Sequence, residues 1–220
     1  GVAACAKQIN PRIQIIGVQA EGAPAIANSF RTGERTPSDT VHTIADGIAV
    51  KTPGEKTFEY IKQYVDRVVT VSDDEIASAV LLLLERCKQV VETSGAAPLA
   101  AVLNNKVDVK GKKVVCVLSG GNIDVSFIHK IVEKGLITRC RQLKFSVLMP
   151  DAPGALEHFS HIVAQQNANI ILFQHDRVQT DLEIGEAIIH VVCEVGGVEH
   201  AKRLINTLTA DGYKVFTSQI

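Results

Sequence analysis

The chain has 220 residues, 46% of them hydrophobic and 21% charged, the balance of a globular protein. Its formal net charge is -1 and the two signs are interspersed, so we expect no nucleic-acid or membrane-surface partner. No apolar run approaches the roughly 20 residues that a membrane-spanning helix needs. The five cysteines are widely spaced and contain no CxxC pair, which favours reduced thiols in a cytoplasmic protein over disulfides or zinc.

Predicted strands and helices alternate over the first 135 residues. The pattern predicts a helix over 1–8, a strand over 13–18, a helix over 21–31, a helix over 58–64 and a strand over 68–71. Ser72 and Glu75 have the spacing of a capping box, and the long helix that follows is predicted to reach about Val91. Glu92-Thr93-Ser94-Gly95 is predicted to break that helix before another over 96–104. This alternation favours an α/β domain with a parallel sheet.

The continuous apolar run Val114 to Leu118 is predicted to be a central parallel strand covered on both faces. With it the sheet has about three strands, which makes it incomplete. Ser119-Gly120-Gly121-Asn122 then turns the chain into a helix that ends near Gly135.

A second unit begins near Arg141. Its predicted elements are strands over 143–148, 169–173, 187–193 and 213–216, with helices marked by Leu156, Phe159, Ile162 and Val163 and by residues 198–208. The order βαββαβ in about 80 residues is the ferredoxin-like arrangement.

Ser119-Gly120-Gly121-Asn122 is a candidate ligand site, because it lies between an apolar strand and a helix N-terminus, where open α/β sheets bind ligands. The alternative is a tight turn that binds nothing. Asp46-Gly47 and Glu92 to Gly95, taken singly, are more often structural.

In this order and spacing, four blocks resemble the threonine dehydratase family: Thr43 to Val50, Val68 to Ile76, Glu85 to Glu92, and Val117 to Asp124. These pyridoxal-phosphate enzymes share their fold with tryptophan synthase β and serine racemase. The resemblance implies a partial three-layer catalytic domain over 1–137 whose N-terminal part is missing.

The resemblance also implies roles for single residues. Ser119 would hydrogen-bond the pyridine nitrogen of pyridoxal 5'-phosphate, Gly47 would line the ring, and Glu92 and Gly120 would lie beside it. The family's Schiff-base lysine and tetraglycine phosphate cradle would lie upstream of Gly1, so no catalytic residue is expected in this chain. The chain alone is therefore predicted to be inactive.

A metal site has weak support. Serine racemase-like members hold a divalent cation with an acidic pair; Glu21 matches the first acid, but Ala27 occupies the second position. His158 and His161 have i, i+3 spacing without a third ligand nearby, so solvated or hydrogen-bonded histidines are favoured.

Residues 141–220 resemble an ACT domain, a module that senses amino acids. Asp151, Gly154, Ala155 and Asn169 are the expected effector-binding residues, since Gly154 and the following helix start could receive a carboxylate. The expected ligand is isoleucine or valine. The alternative is a domain that only dimerises, by pairing strand edges.

The full protein is thus expected to convert threonine to 2-oxobutanoate and ammonia, or serine to pyruvate, under amino-acid control in isoleucine biosynthesis. A homo-oligomer, dimer or tetramer, is expected. The alternatives are a non-catalytic amino-acid-sensing protein and a related serine dehydratase or racemase.

Overall fold

The computed structural model describes residues 1–138, 140–177 and 183–217. The chain forms two compact units, Gly1–Ile131 and Val132–Ile220. Each unit has its own hydrophobic core. Within the described ranges, no helix is both long and apolar enough to cross a bilayer.

The first unit is an α/β arrangement around one parallel strand pair, in which Val18 lies opposite Val69. Its strands are β1 (Ile16–Ala20) and β2 (Arg67–Val71), and its helices are α1 (Val2–Ile9), α2 (Ala25–Thr32), α3 (Glu55–Tyr64), α4 (Asp73–Leu82) and α5 (Thr93–Leu103). A further helix, α6 (Val125–Thr138), continues past the end of this unit. The predicted α/β class is confirmed, although two strands are paired and not about three.

Helix α4 begins with the predicted capping box. The Ser72 hydroxyl accepts the Glu75 N–H at 3.2 Å, and the Glu75 carboxylate accepts the Ser72 N–H at 2.8 Å. The predicted extent of this helix was wrong, because α4 loosens into a π-helical turn over Leu83–Cys87 and then stops. Lys88 has a φ of +57°, and a left-handed residue cannot continue a right-handed helix.

Helix α5 begins where a break was predicted. Glu92 is its N-cap, and Thr93, Ser94 and Gly95 form its buried first turn. The break between the two helices does occur, but over residues 88–92, a few residues earlier than predicted. The polar residues mark a helix start instead, because a helix start has free N–H groups and accommodates polar side chains that a helix interior disfavours. Behind this turn, the small side chains of one face pack into the core: Ala96, Ala97, Ala100 and Ala101.

The run Val114 to Leu118 is not the buried strand that its composition predicted. It pairs with no strand in the described chain, and Val115 is 88% exposed. A central strand needs a hydrogen-bonded neighbour on each edge and a layer on each face, and residues 1–131 supply neither around this segment. The apolar side chains of Val114, Val117 and Leu118 are therefore exposed as well.

The second unit has the predicted βαββαβ order. Its elements are β3 (Gln142–Pro150), α7 (Ala155–Gln165), β4 (Asn169–Asp176), β5 (Glu186–Glu194), α8 (Val198–Ala210) and β6 (Lys214–Phe216). The four strands form one antiparallel sheet in the order β4-β5-β3-β6, so the strands that begin each half lie at its centre. This confirms the ferredoxin-like arrangement.

The core of the second unit follows from strict alternation along β3 and β5. Every second residue of these strands is buried: Leu143, Phe145, Val147 and Met149 in β3, and Ala187, Ile189, Val191 and Cys193 in β5. Both helices cover this face of the sheet. Phe159 of α7 is fully buried and packs against Phe145 and Tyr213, with ring centroids 6.4 and 5.8 Å away.

Candidate functional site

The first turn of α5 is the centre of the candidate site, and the loop around Gly47 lies against one side of it. A Cβ added at Gly47 would lie 2.8 Å from the Ser94 hydroxyl oxygen and 3.5 Å from Glu92 Oε1. Only glycine lets the loop approach this closely. The 3₁₀ turn Asp46–Ile48 fixes the local backbone, and the Gly47 N–H donates to Asp46 Oδ1 at 2.8 Å.

The loop Ser119 to Asn122 lies against the same helix turn. A Cβ added at Gly95 would overlap the carbonyl oxygen of Ser119, so the loop rests directly on the helix backbone. Gly120 has a φ of +77°, and a Cβ there would lie 2.5 Å from the Glu92 carboxyl group. Glycines thus permit this contact from both sides.

Glu92 ties this second loop in place. Its backbone N–H donates to the carbonyl of Gly120 at 3.3 Å, and its Oε2 accepts the N–H of Asn122 at 3.1 Å. The carboxylate is half-buried between the two loops. A charged acceptor holding backbone N–H groups makes a stronger hydrogen bond than a neutral one, so Glu92 stiffens the loop.

The structure brings together all four residues expected at the cofactor. Gly47, Glu92 and the adjacent pair Ser119 and Gly120 are far apart in the chain but meet around the first turn of α5. Ser119 is exposed and not packed into the interior, so its hydroxyl is available to a ligand. The arrangement packs Ser94 and Glu92 into the space that side chains at Gly47 and Gly120 would take, and it leaves Ser119 exposed.

Ser94 is a site residue that the sequence reasoning missed. Its side chain faces Gly47, its hydroxyl is buried, and it has no hydrogen-bond partner among the described residues. An unsatisfied buried hydroxyl costs about 1–3 kcal/mol, so such atoms are uncommon away from functional sites. The available signal was a polar residue directly before a glycine at a helix start.

Two titrating groups flank the Ser119 loop. Hydrogen bonds from the side chain and then the backbone of Ser126 lower the pKa of Asp124 below its ordinary value. Burial raises the pKa of the Cys116 thiol, which therefore stays protonated and poorly nucleophilic. Asp124 is thus a charged end to this loop, and burial favours the protonated form of the Cys116 thiol.

Glu21, the weak metal candidate, faces a lysine. Lys106 Nζ lies 3.6 Å from Glu21 Oε1 and 3.1 Å from Glu75 Oε1, and the hydrogen bond to Glu75 raises the pKa of Lys106. Over the described residues, no group of three or more His, Cys, Asp or Glu side chains could hold a metal ion. The two acidic side chains therefore have a cation of the chain's own beside them.

In the second unit, Asp151, Gly154 and Ala155 lie together at the start of α7. Gly154 is the N-cap, with a φ of +89° that favours glycine. Asp151 Oδ1 lies 3.3 Å from Arg177 Nη2 and 3.9 Å from His175 Nε2. An open groove of about 690 Å³ follows the exposed face of α7 from Gly154.

Asn169 does not join this cluster within one chain. Asn169 lies opposite Glu194, and Glu194 lies opposite Gln142, the first residue of β3. Asp151 follows the last residue of that strand. Eight residue-to-residue steps of about 3.3 Å separate the two ends of β3 by roughly 26 Å. The Asn169 amide donates to Glu194 Oε2 at 3.0 Å.

The two histidines of α7 have partners of their own. His158 Nε2 lies 2.7 Å from Asp211 Oδ2, and His161 Nε2 lies 2.9 Å from the amide nitrogen of Gln165. These contacts fit hydrogen-bonded histidines, which the sequence favoured because no third ligand stands nearby.

Residues 1–120 match the family model described as pyridoxal-phosphate dependent enzyme. An L-threonine ammonia-lyase of Thermotoga maritima is 45% identical over 215 residues, which cover 98% of this chain and 53% of the relative. A solved structure of a processed threonine deaminase isoform from Solanum lycopersicum aligns with a TM-score of 0.55 and 36% identity, over 60% of this chain and 37% of that one. Maize serine racemase aligns with a TM-score of 0.54 and 34% identity, over 61% and 44%. The chain spans about half the length of the curated relatives it matches.

Proposed function

Because this chain belongs to the family of pyridoxal-phosphate dependent enzymes, we propose that it is part of a threonine dehydratase. The whole protein would convert L-threonine to 2-oxobutanoate and ammonia, and L-serine to pyruvate and ammonia. The observation that carries the proposal is the meeting of Gly47, Glu92, Ser119 and Gly120 around one helix turn. Two relatives named L-threonine ammonia-lyase, whose alignments cover 98% of this chain, support the choice of substrate.

The geometry fits the cofactor of this family. The exposed Ser119 hydroxyl could meet the nitrogen of the ring, and Ser94 beside Gly47 has a buried hydroxyl without a hydrogen-bond partner among the described residues. Bound pyridoxal 5'-phosphate would supply an electron sink for elimination of the β-hydroxyl group. A hydroxyl at the ring nitrogen leaves that nitrogen neutral, whereas a carboxylate would keep it protonated. Glu92 would hold the Ser119 loop at the distance that this hydrogen bond needs.

We further propose that residues 1–137 belong to the catalytic domain and residues 141–220 form an ACT regulatory domain. The two compact units and the βαββαβ order of the second support this division. The remaining part of the catalytic domain would supply the lysine and the phosphate cradle. A homo-oligomer in the cytoplasm fits this role, and all five cysteines are free thiols.

The test is a keto-acid assay on this chain joined to the upstream part of a catalytic domain. We expect L-threonine to give 2-oxobutanoate, and L-serine to give pyruvate at a lower kcat/KM. A product of D-serine from L-serine, without keto acid, would instead favour a racemase. Absence of cofactor binding and of any turnover would contradict the proposal and favour a non-catalytic amino-acid sensor.

For regulation, we propose that an amino acid binds around Asp151, Gly154 and Ala155, where free helix N–H groups and the Gly154 backbone can receive a carboxylate. We expect isothermal titration of the 220-residue chain with isoleucine or valine to show binding. Gly154→Ala should weaken this binding about tenfold, because an alanine backbone is strained at the φ of this position.

Gly33→Ala is the matched control. Gly33 has a φ of +79° and no atom within 4 Å of an added Cβ, as at Gly154, but it lies after α2 in the first unit. Equal loss of affinity in the two variants, or no heat at millimolar amino acid, would show that the start of α7 is not the effector site.

A further inference from the structure

The segment that leads to Gly47 is anchored to a side chain of α4. The Thr43 hydroxyl donates to Asp73 Oδ1 at 2.6 Å, and the Ile44 N–H donates to Asp73 Oδ2 at 3.1 Å. Both oxygens of one half-buried carboxylate therefore hold two successive residues of the loop. Hydrogen bonds to a charged acceptor are among the stronger ones that proteins make.

The same segment is held from its other side by α5. The Thr93 hydroxyl, in a side chain that is 4% exposed, donates to the carbonyl of Ile44 at 2.8 Å. Both backbone groups of Ile44 are thus bonded to helix-start side chains. Gly47 follows three residues later, after the fully buried Ala45, whose N–H donates to the Thr43 hydroxyl. So short a connection leaves Gly47 little freedom.

Asp73 is not needed to cap its own helix. Ser72 and Glu75 form the capping box of α4, and the Asp73 carboxylate is turned to the loop instead. From this geometry we infer that Asp73 is a positioning residue: it sets the place of the Gly47 backbone against Glu92 and Ser94, and through it the fit of the cofactor. This inference rests on the proposed function for the identity of the ligand.

Amide hydrogen exchange is measured on the 220-residue chain. Titration with pyridoxine 5'-phosphate, followed by amide NMR shifts, uses the same chain joined to the upstream part of a catalytic domain, because that part would supply the phosphate cradle. This phosphate ester has no aldehyde, so it cannot react with surface lysines. In Asp73→Asn only one oxygen is left as an acceptor and the charge is lost, so the Thr43 hydroxyl and the Ile44 N–H cannot both donate as they do to the carboxylate. We expect exchange at Ile44 to Gly47 to become about tenfold faster, and the dissociation constant read at Gly47 to rise about tenfold.

Asp74→Asn is the matched control, because it removes the same charge from the same helix turn without touching the Thr43 loop contacts. Thr43→Ser keeps the hydroxyl and should behave as wild type, whereas Thr43→Val should reproduce Asp73→Asn. The Thr43 pair decides the matter if Asp73→Asn does not fold. If Asp73 had a purely structural role, Asp73→Asn would instead speed amide exchange throughout the first unit.

Two results separate the inference from the proposed function. If exchange at Ile44 to Gly47 in Asp73→Asn and Thr43→Val is no faster than in Asp74→Asn, Asp73 does not position the loop. If the wild-type amides of Gly47 and Gly120 in the joined protein do not shift with the phosphate ester, the cofactor site itself is wrong, whatever the exchange rates show.

Discussion

The 220-residue chain by itself is expected to form no detectable 2-oxobutanoate from L-threonine. Enzymes accelerate reactions by at least about 10⁶-fold, and the proposed chemistry depends on a lysine that anchors the cofactor. No lysine here stands in a Ser-Phe-Lys-type stretch. Lys106 is an unsuitable substitute, because its hydrogen bond to Glu75 raises its pKa and a nucleophilic amine must lose its proton. The measurement is keto-acid release at millimolar threonine and added cofactor.

The control is the same chain joined to an upstream catalytic segment, which should exceed the chain alone by about 10⁴-fold or more. The two samples should have the same far-UV circular dichroism per residue of this chain, so that misfolding is not mistaken for inactivity. Threonine-dependent turnover by the purified chain alone would show that the essential groups lie within residues 1–220.

Gly95→Ala should cause the largest loss of stability among single methyl additions at the site. The new Cβ would overlap the carbonyl oxygen of Ser119 and lie 2.9 Å from Val91 Cγ1. Backbone cannot move away as a flexible side chain does, so we expect the free energy of unfolding to fall by about 3 kcal/mol. Urea denaturation measures this change. The amide of Ser119 should shift as its loop is pushed off α5.

Gly17→Ala is the control for that substitution. Its Cβ would make ordinary contacts, the nearest at 3.4 Å from Val68 Cγ2, so the free energy of unfolding should change by less than about 1 kcal/mol. If Gly95→Ala were as stable as Gly17→Ala, the close approach of the Ser119 loop to α5 would be wrong.

Local patterns predicted most elements, because each depends on neighbouring residues. The Ser72–Glu75 spacing identified the start of α4, and alternation along β3 and β5 identified the second core. The end of α4 was missed, since no glycine or proline stands at Lys88, where the chain turns left-handed. Val114 to Leu118 was assigned to an interior strand because composition reports apolarity, whereas burial depends on what lies around a segment.

The site depended on information that local patterns lack. Gly47, Glu92 and Ser119 could be connected only through the family resemblance, since each is an ordinary turn or helix-end residue by itself. Ser94, Thr93 and Asp73 were missed because their importance comes from partners distant in sequence: Ser94 faces Gly47, Thr93 holds Ile44, and Asp73 holds Thr43. A capping motif shows where a helix begins but not which loop its first residues hold.

The bare apolar run at Val114 to Leu118 has a consequence for work with the chain at high concentration. A backbone segment that pairs with no strand in the described chain and carries solvent-facing valines can pair with a strand of another chain. In a purified sample, the most abundant such chain is a second copy of this protein. Self-association through this run would then compete with any added polypeptide that pairs there. A low concentration of the chain and prompt mixing with the added polypeptide favour pairing with that polypeptide. The reason is that self-association is second order in the concentration of the chain.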